Sequence, residues 1–295
     1  MPVAGSNGIE ICYETFGDAS GPAVLLISMY STQMLVWPEK FCMGLASRGF
    51  HVIRFDNRDV GLSTKFEEAG LPDLMQIVSI PVAERKALVP YLLEDMADDA
   101  IGLMDVLGIE AAHIVGASMG GMIAQIVAGA HPGRALSLTS IMSTPDPAKS
   151  PPLPEAMAVL GGPPAQGEEG KIQAFMAGWR AIGSEEYGPS DEELRAFAIR
   201  CIERSDYPQG PARQVAAIQA SPGREDLLAK LDIPALVIHG TADPLIPLIG
   251  GELTAKAIPG AEFMAIEGMG HELFSPTTGL IEKMIGEHIE GASRS

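Results

Sequence analysis

Cysteine is scarce. Cys12, Cys42 and Cys201 are the only three in 295 residues, and with no Cys-x-x-Cys pair they exclude a disulfide framework and a cysteine-built metal site. Each reads as a small buried apolar side chain rather than a reactive thiol. Basic residues are also few: 20 Lys and Arg stand against 38 Asp and Glu, a net charge of −18. Such a chain repels phosphate backbones and anionic lipid, so neither nucleic acid nor stable membrane association is expected. Most of the acidic excess reads as solvated surface.

Long apolar runs are missing too. None reaches about 18 residues, the length a membrane helix needs. The opening MPVAGSNGIEICYETFGD has no basic segment leading into an apolar one, so no signal peptide is expected and a cytoplasmic location follows by default. The dinucleotide pattern G-x-G-x-x-G and the phosphate-loop pattern G-x-x-x-x-G-K-[ST] are both absent, which leaves a nucleotide-binding protein without its motif. There is no internal repeat and no low-complexity tract.

What is present suits a folded enzyme: 46% hydrophobic and 20% charged residues. Strands are expected at Glu10–Phe16, Ala23–Ser28, His51–Asp56, His113–Gly116, Leu136–Met142, Ala235–His239 and Glu262–Ile266. A run such as AVLLIS, apolar throughout, marks a strand buried on both faces. Helices are expected at Pro38–Arg48, Glu94–Leu107, Met119–Ala130 and Pro276–Ile289. The alternation implies an α/β fold, a mostly parallel sheet with helices on both faces. Two segments break the rhythm. Residues 64–93 carry Pro72, Pro81 and Pro90. Residues 145–222, rich in Pro and Gly with helical stretches near 170–182 and 191–204, read as a helical cap inserted over the strand ends. Residues 1–144 and 223–295 would then form the core.

Gly116–Ala117–Ser118–Met119–Gly120 fits G-x-S-x-G, a pattern that arises readily by chance in a chain with 33 glycines. Its setting is more telling. It follows the strand HIVG and opens the helical run MGGMIAQIVAGA, the strand–turn–helix context in which a serine hydroxyl is held out as a nucleophile. A serine needs a base, and in this arrangement the acid and base follow in the order Asp, His. Asp243 sits in the loop after ALVIH and His271 in the Gly-rich loop after EFMAI, both at the edge where open parallel sheets bind ligands. Asp146 is the alternative acid. His51, His113, His131, His239 and His288, in or near strands and helices, read as structural or surface residues. His271 would take the Ser118 proton during attack on a carbonyl, and Asp243 would orient the imidazole.

The phrases RFDNRDVGLST, HIVGASMGGMIAQ, ALVIHGTADPLIP and IEGMGHEL together resemble the α/β-hydrolase family, and within it the branch of aclacinomycin methylesterase-like carboxylesterases. The resemblance covers residues 8–290 and is strongest outside the proposed cap. It implies an eight-stranded sheet, the Ser118–His271–Asp243 triad, and no cofactor or metal. One loop departs. Backbone donors for an oxyanion would be Met119 N–H and one from the loop after AVLLI, where relatives carry His-Gly or Met-Gly and further glycine. Here it reads Ser28–Met29–Tyr30–Ser31–Thr32, with no glycine. The second donor is assigned to Tyr30 N–H, with Met29 N–H or the Tyr30 hydroxyl as alternatives.

Arg58 and Asp59 read as loop-bracing charges. Glu94, Asp95, Asp98 and Asp99 read as a solvated N-terminal helix face. Met29 and the cap residues Met157, Leu160, Met176 and Trp179 are candidate substrate contacts, suggesting a small to medium apolar or aromatic ester. Thioester, lactone, carbon–carbon and perhydrolysis chemistry use the same triad and stay open, as do a non-catalytic binding protein and a homo-oligomer.

Overall fold

The structure, a computed structural model, describes residues 1–154, 156–157, 165–184, 186–274 and 276–292. Eight strands form one sheet: β1 (Val3–Ser6), β2 (Ile9–Phe16), β3 (Ala23–Ile27), β4 (His51–Phe55), β5 (Ala112–Ala117), β6 (Ala135–Ile141), β7 (Ala235–Gly240) and β8 (Glu262–Ile266). Their order is β1-β2-β4-β3-β5-β6-β7-β8. From β4 to β8 every pairing is parallel, whereas β2 runs antiparallel to both β1 and β4. The inner strands β3, β4 and β5 are buried at every residue, as their unbroken apolar runs require when both faces are covered.

Two apolar layers cover the sheet. On one face, α4 (Leu93–Val106) and α5 (Met119–Ala130) pack Leu93, Met96, Leu103, Ile123 and Val127 against Leu25, Ile53 and Ile114. On the other, α1 (Glu39–Ser47) and the last helix (Thr277–Ala292) pack Phe41, Leu45, Ile281, Ile285 and Ile289 against Val24, Leu26, Val52 and Val115. Fully burying one such side chain stabilises the fold by about 1.5–3 kcal/mol. All three cysteines are buried and unpaired. Among the described residues, no helix is long and apolar enough to cross a membrane.

The seven strands read from the sequence are all present, within a residue or two of their expected ends. The eighth, β1, escaped notice because VAGS is short and only weakly alternating. Residues 64–93, which break the rhythm in sequence, contain two short helices, α2 (Leu74–Ser79) and α3 (Val82–Arg85). Between β6 and β7 lie α6 (Gly167–Ile182), α7 (Asp191–Arg204), α8 (Gly210–Ala220) and the short α9 (Glu225–Leu228). A capping box between Ser190 and Glu193 starts α7. Pro211, which needs no hydrogen-bond acceptor, stands in the first turn of α8. A further helix, α10 (Ile249–Ala257), follows β7, and the last helix is α11. Contacts of α6, α7 and α8 run to the carboxyl ends of the strands. Ile182 O accepts from His271 N–H, Cys201 O from Gln33 Nε2, and Arg213 pairs with Asp59.

Candidate active site

Strand β5 delivers Ser118 into a backbone conformation that few residues with a Cβ adopt, φ 56° and ψ −122°. Such strain, on the order of 1–3 kcal/mol, persists only where the surroundings enforce it. Here the enforcement is visible. Ser118 N–H donates to Ile141 O at 2.9 Å, and Ser118 O accepts from Ser143 Oγ and from the N–H groups of Gly121 and Met122. The flanking glycines are needed for contact. A Cβ on Gly116 would lie 2.0 Å from Gly120 O, and one on Gly120 would lie 2.2 Å from Ile27 O. The start of α5 is thereby pressed against the end of β3.

His271, 153 residues away in sequence, places Nε2 2.8 Å from Ser118 Oγ. Its Nδ1 lies 2.6 Å from Asp243 Oδ2. A carboxylate can only accept, so Nδ1 carries the hydrogen and Nε2 is left to accept from the serine hydroxyl. The other Asp243 oxygen accepts from Leu245 N–H and Ile246 N–H, both at 2.9 Å, which fixes the carboxylate plane. Ser118, His271 and Asp243 are 4%, 0% and 4% exposed, so water competes little for these bonds. A hydroxyl so paired with an oriented imidazole has the arrangement of an activated nucleophile. Asp146 is not part of this series: its carboxylate accepts from Ala148 N–H in the turn after β6 and faces Lys149.

The loop after β3 closes the opposite side. Its lack of glycine is met by side-chain bracing. Asn57 Nδ2 donates to Ser28 O at 3.0 Å, Thr32 N–H and Oγ1 return to Met29 O, and Asp56 Oδ1 accepts from Met34 N–H. Ser31 takes φ 60°, the one left-handed residue of this loop, and its N–H donates to Gln214 Oε1 at 2.8 Å. Among the described residues, no protein acceptor takes the N–H of Tyr30 or Met119. Burial pushes the Tyr30 hydroxyl up to about 12, keeping it neutral.

Around the histidine loop, Glu272 accepts from Ser184 N–H, Ser184 Oγ and, at 3.4 Å, Gly270 N–H, tying the end of α6 to residue 271's neighbour. Burial raises the Glu272 carboxyl, and these donors oppose the rise. Phe274 meets Trp179 edge-on at 5.0 Å between ring centroids, and Phe197 joins both rings. Of the candidate contacts, Met29, Met176 and Trp179 are buried and belong to one apolar layer. Met157 is 54% exposed, and Leu160 lies outside the described residues. Among the described residues, no group of three or more His, Cys, Asp or Glu side chains could hold a metal.

One sequence reading changes. Asp99 does not belong to a solvated acidic face. It is buried and holds Arg58 through two bonds of 2.7 Å, because α4 turns that carboxylate inward to meet a cation from the loop after β4. Arg58 and Asp59 do brace the loop, but with separate partners: Asp59 takes Arg213 at 2.8 and 2.9 Å. Gln214, Glu272 and Asn57 were missed. Glu272 and Asn57 neighbour recognisable motifs. Gln214 carries no local signal at all.

A family profile described as the alpha/beta hydrolase fold matches residues 22–276. Rhodomycin D methylesterases of Streptomyces sp. (strain C5) and Streptomyces peucetius are 28% and 27% identical, each alignment covering 90% or 91% of both chains. Among solved structures, an enol-lactonase from Burkholderia xenovorans LB400 superposes with a TM-score of 0.75 at 21% identity, over 98% of this chain and 100% of that one.

Proposed function

The chain belongs to the alpha/beta hydrolase fold family, and from that premise we propose that it hydrolyses carboxylic esters through an acyl-enzyme on Ser118. The observation that carries the reading is the unbroken series Ser118 Oγ–His271–Asp243, with contacts of 2.8 and 2.6 Å. Ser118 Oγ attacks the ester carbonyl while His271 Nε2 takes its proton. Asp243 holds the imidazole in the required tautomer and stabilises its cationic form. The oxygen that gains charge is received by the N–H groups of Met119 and Tyr30. One such donor contributes about 3–4 kcal/mol to lowering the barrier. His271 then protonates the departing alkoxide, and a water activated by the same imidazole releases the acid.

The substrate reading is an apolar or aromatic ester of small to medium size. Trp179, Phe274 and Met176 beside the histidine loop, with Met29 on the opposite side, would supply the apolar walls. Residues 145–222 would act as a helical cap over this site. The relatives named as methylesterases make methyl esters, with methanol as the leaving alcohol, the first substrates to try.

The test is hydrolysis of p-nitrophenyl esters from acetate to palmitate, beside a set of aromatic methyl esters, with phosphonate labelling followed by mass spectrometry. Turnover with an adduct on Ser118, both lost in Ser118→Ala while the circular dichroism spectrum stays unchanged, is the expected result. Turnover retained by Ser118→Ala would remove Ser118 from the role.

A further inference from the structure

We propose that Gln214 is a positioning residue for the oxyanion side of the site, a reading that rests on the esterase function above. From α8 it tethers the glycine-free loop after β3 so that Tyr30 keeps its N–H presented as a donor. Gln214 Oε1 accepts from Ser31 N–H at 2.8 Å, its Nε2 donates to Arg58 O at 2.9 Å, and the side chain is wholly buried. Both ends of the carboxamide are therefore committed, each to a backbone group of a different loop at the strand ends.

The tether falls where the loop is least able to hold itself. Ser31 is left-handed at φ 60°, a conformation that glycine adopts freely and serine does not. A return to negative φ would rotate the Tyr30–Ser31 peptide and swing the preceding one, which carries Tyr30 N–H. Anchoring the Ser31 N–H blocks that rotation. The anchor is itself rigid. Gly210 approaches Asp59 so closely that a Cβ would lie 1.9 Å from Asp59 O, and Arg213 clamps Asp59 through two bonds one residue before Gln214. A residue 183 positions distant in sequence thus does for this loop what a glycine would do locally.

The experiment is a double-mutant cycle on the full chain, using Gln214→Met, Ser31→Gly and the two combined. It reads kcat and KM on the best p-nitrophenyl ester, with melting temperature alongside. Gln214→Met is expected to lower kcat about 10- to 100-fold, with KM changed less than about threefold, because the lost donor acts on the transition state. The same substitution is expected to cost several-fold less in the Ser31→Gly background, where the left-handed turn no longer needs enforcing. A folded Gln214→Met with the kcat of the unaltered protein overturns the proposal. So does a loss of equal size in both backgrounds, which marks a purely structural role. If Gln214→Met does not fold, Gln214→Asn, one methylene too short to span Ser31 and Arg58, gives the same comparison. Absence of both turnover and a Ser118 adduct in the unaltered protein would overturn the esterase reading and this proposal together. Turnover there with an unaffected Gln214 variant overturns the tether alone.

Discussion

His239 stands 3.6 Å from the same carboxylate oxygen, Asp243 Oδ2, that His271 approaches at 2.6 Å. The two imidazoles are not equivalent. His239 Nε2 lies 2.8 Å from Ile246 O, and a carbonyl can only accept, so that nitrogen carries the hydrogen. Burial holds His239 below its ordinary range, so the ring stays neutral and does not compete as a cation for Asp243. The carboxylate is left with two backbone donors and His271, each in a fixed direction.

That geometry makes a sharp prediction for Asp243→Asn. Its amide oxygen would keep Leu245 and Ile246 N–H, turning the NH2 group towards His271. His271 Nδ1 would then have to accept, moving the imidazole hydrogen to Nε2, where it faces Ser118 instead of receiving its proton. Steady-state kinetics should show kcat reduced by orders of magnitude, up to about 10⁴-fold, with the melting temperature little changed. Asp146→Asn should leave kcat within about twofold of the unaltered protein, because a side chain outside the hydrogen-bonded series has no transition-state contact to lose. A large loss in Asp146→Asn, or a small one in Asp243→Asn, would transfer the acid role.

The contrast between these residues and Gln214 explains what could be read from the chain alone. Ser118, Asp243 and His271 each sit in a short local context, a strand followed by a Gly-rich turn, and that context also fixes their place at the sheet edge. The apolar runs AVLLI and HIVGA show the central strands for the same local reason. Asp59–Arg213 and Ser31–Gln214 join positions 154 and 183 apart, and no periodicity or spacing rule reports such a pair. Asp99 misleads for a related reason. It stands among acidic neighbours on α4, and only the position of Arg58 shows that its carboxylate faces inward.

The buried Arg58–Asp99 pair should be costly to break from one side. Asp99 is 2% exposed, and Arg58 lies over the rings of Phe66 and Tyr91, 5.1 and 4.9 Å from their centroids. Burial pushes the Asp99 carboxyl up, and Arg58 opposes the rise. Asp99→Ala would leave a guanidinium without its counter-ion in that setting, lowering stability by about 3–5 kcal/mol. Replacing both partners, Arg58→Met with Asp99→Leu, should recover most of the loss, because no buried charge is then left unpaired. Urea unfolding of the unaltered protein and of these two variants checks this. A loss below about 1 kcal/mol for Asp99→Ala would mean that the pair is solvated in solution.

His113 gives the fold a pH dependence of known sign. It is 3% exposed on β5, with Nδ1 2.9 Å from Ser137 Oγ. Burial, reinforced by nearby His288, lowers its pKa from 6.5 to about 4. Between those values the unfolded chain binds a proton that the folded chain refuses. Stability therefore rises with pH across the window, is complete above about 6.5, and is lost as pH falls towards 4. One such site contributes a slope of at most about 1.4 kcal/mol per pH unit. His239 and His288 are lowered in the same direction by burial, so the slope of the unaltered protein exceeds the share of His113. Gln at position 113 can still bond Ser137 but cannot titrate. The unfolding free energy of the unaltered protein should therefore fall relative to that of His113→Gln as pH drops from about 6.5 to about 4.5, the variant having the shallower curve. Parallel curves across that range would mean that His113 titrates alike in the folded and unfolded chains, and the acid sensitivity would then belong to His51, His239 and His288, which burial lowers in the same direction.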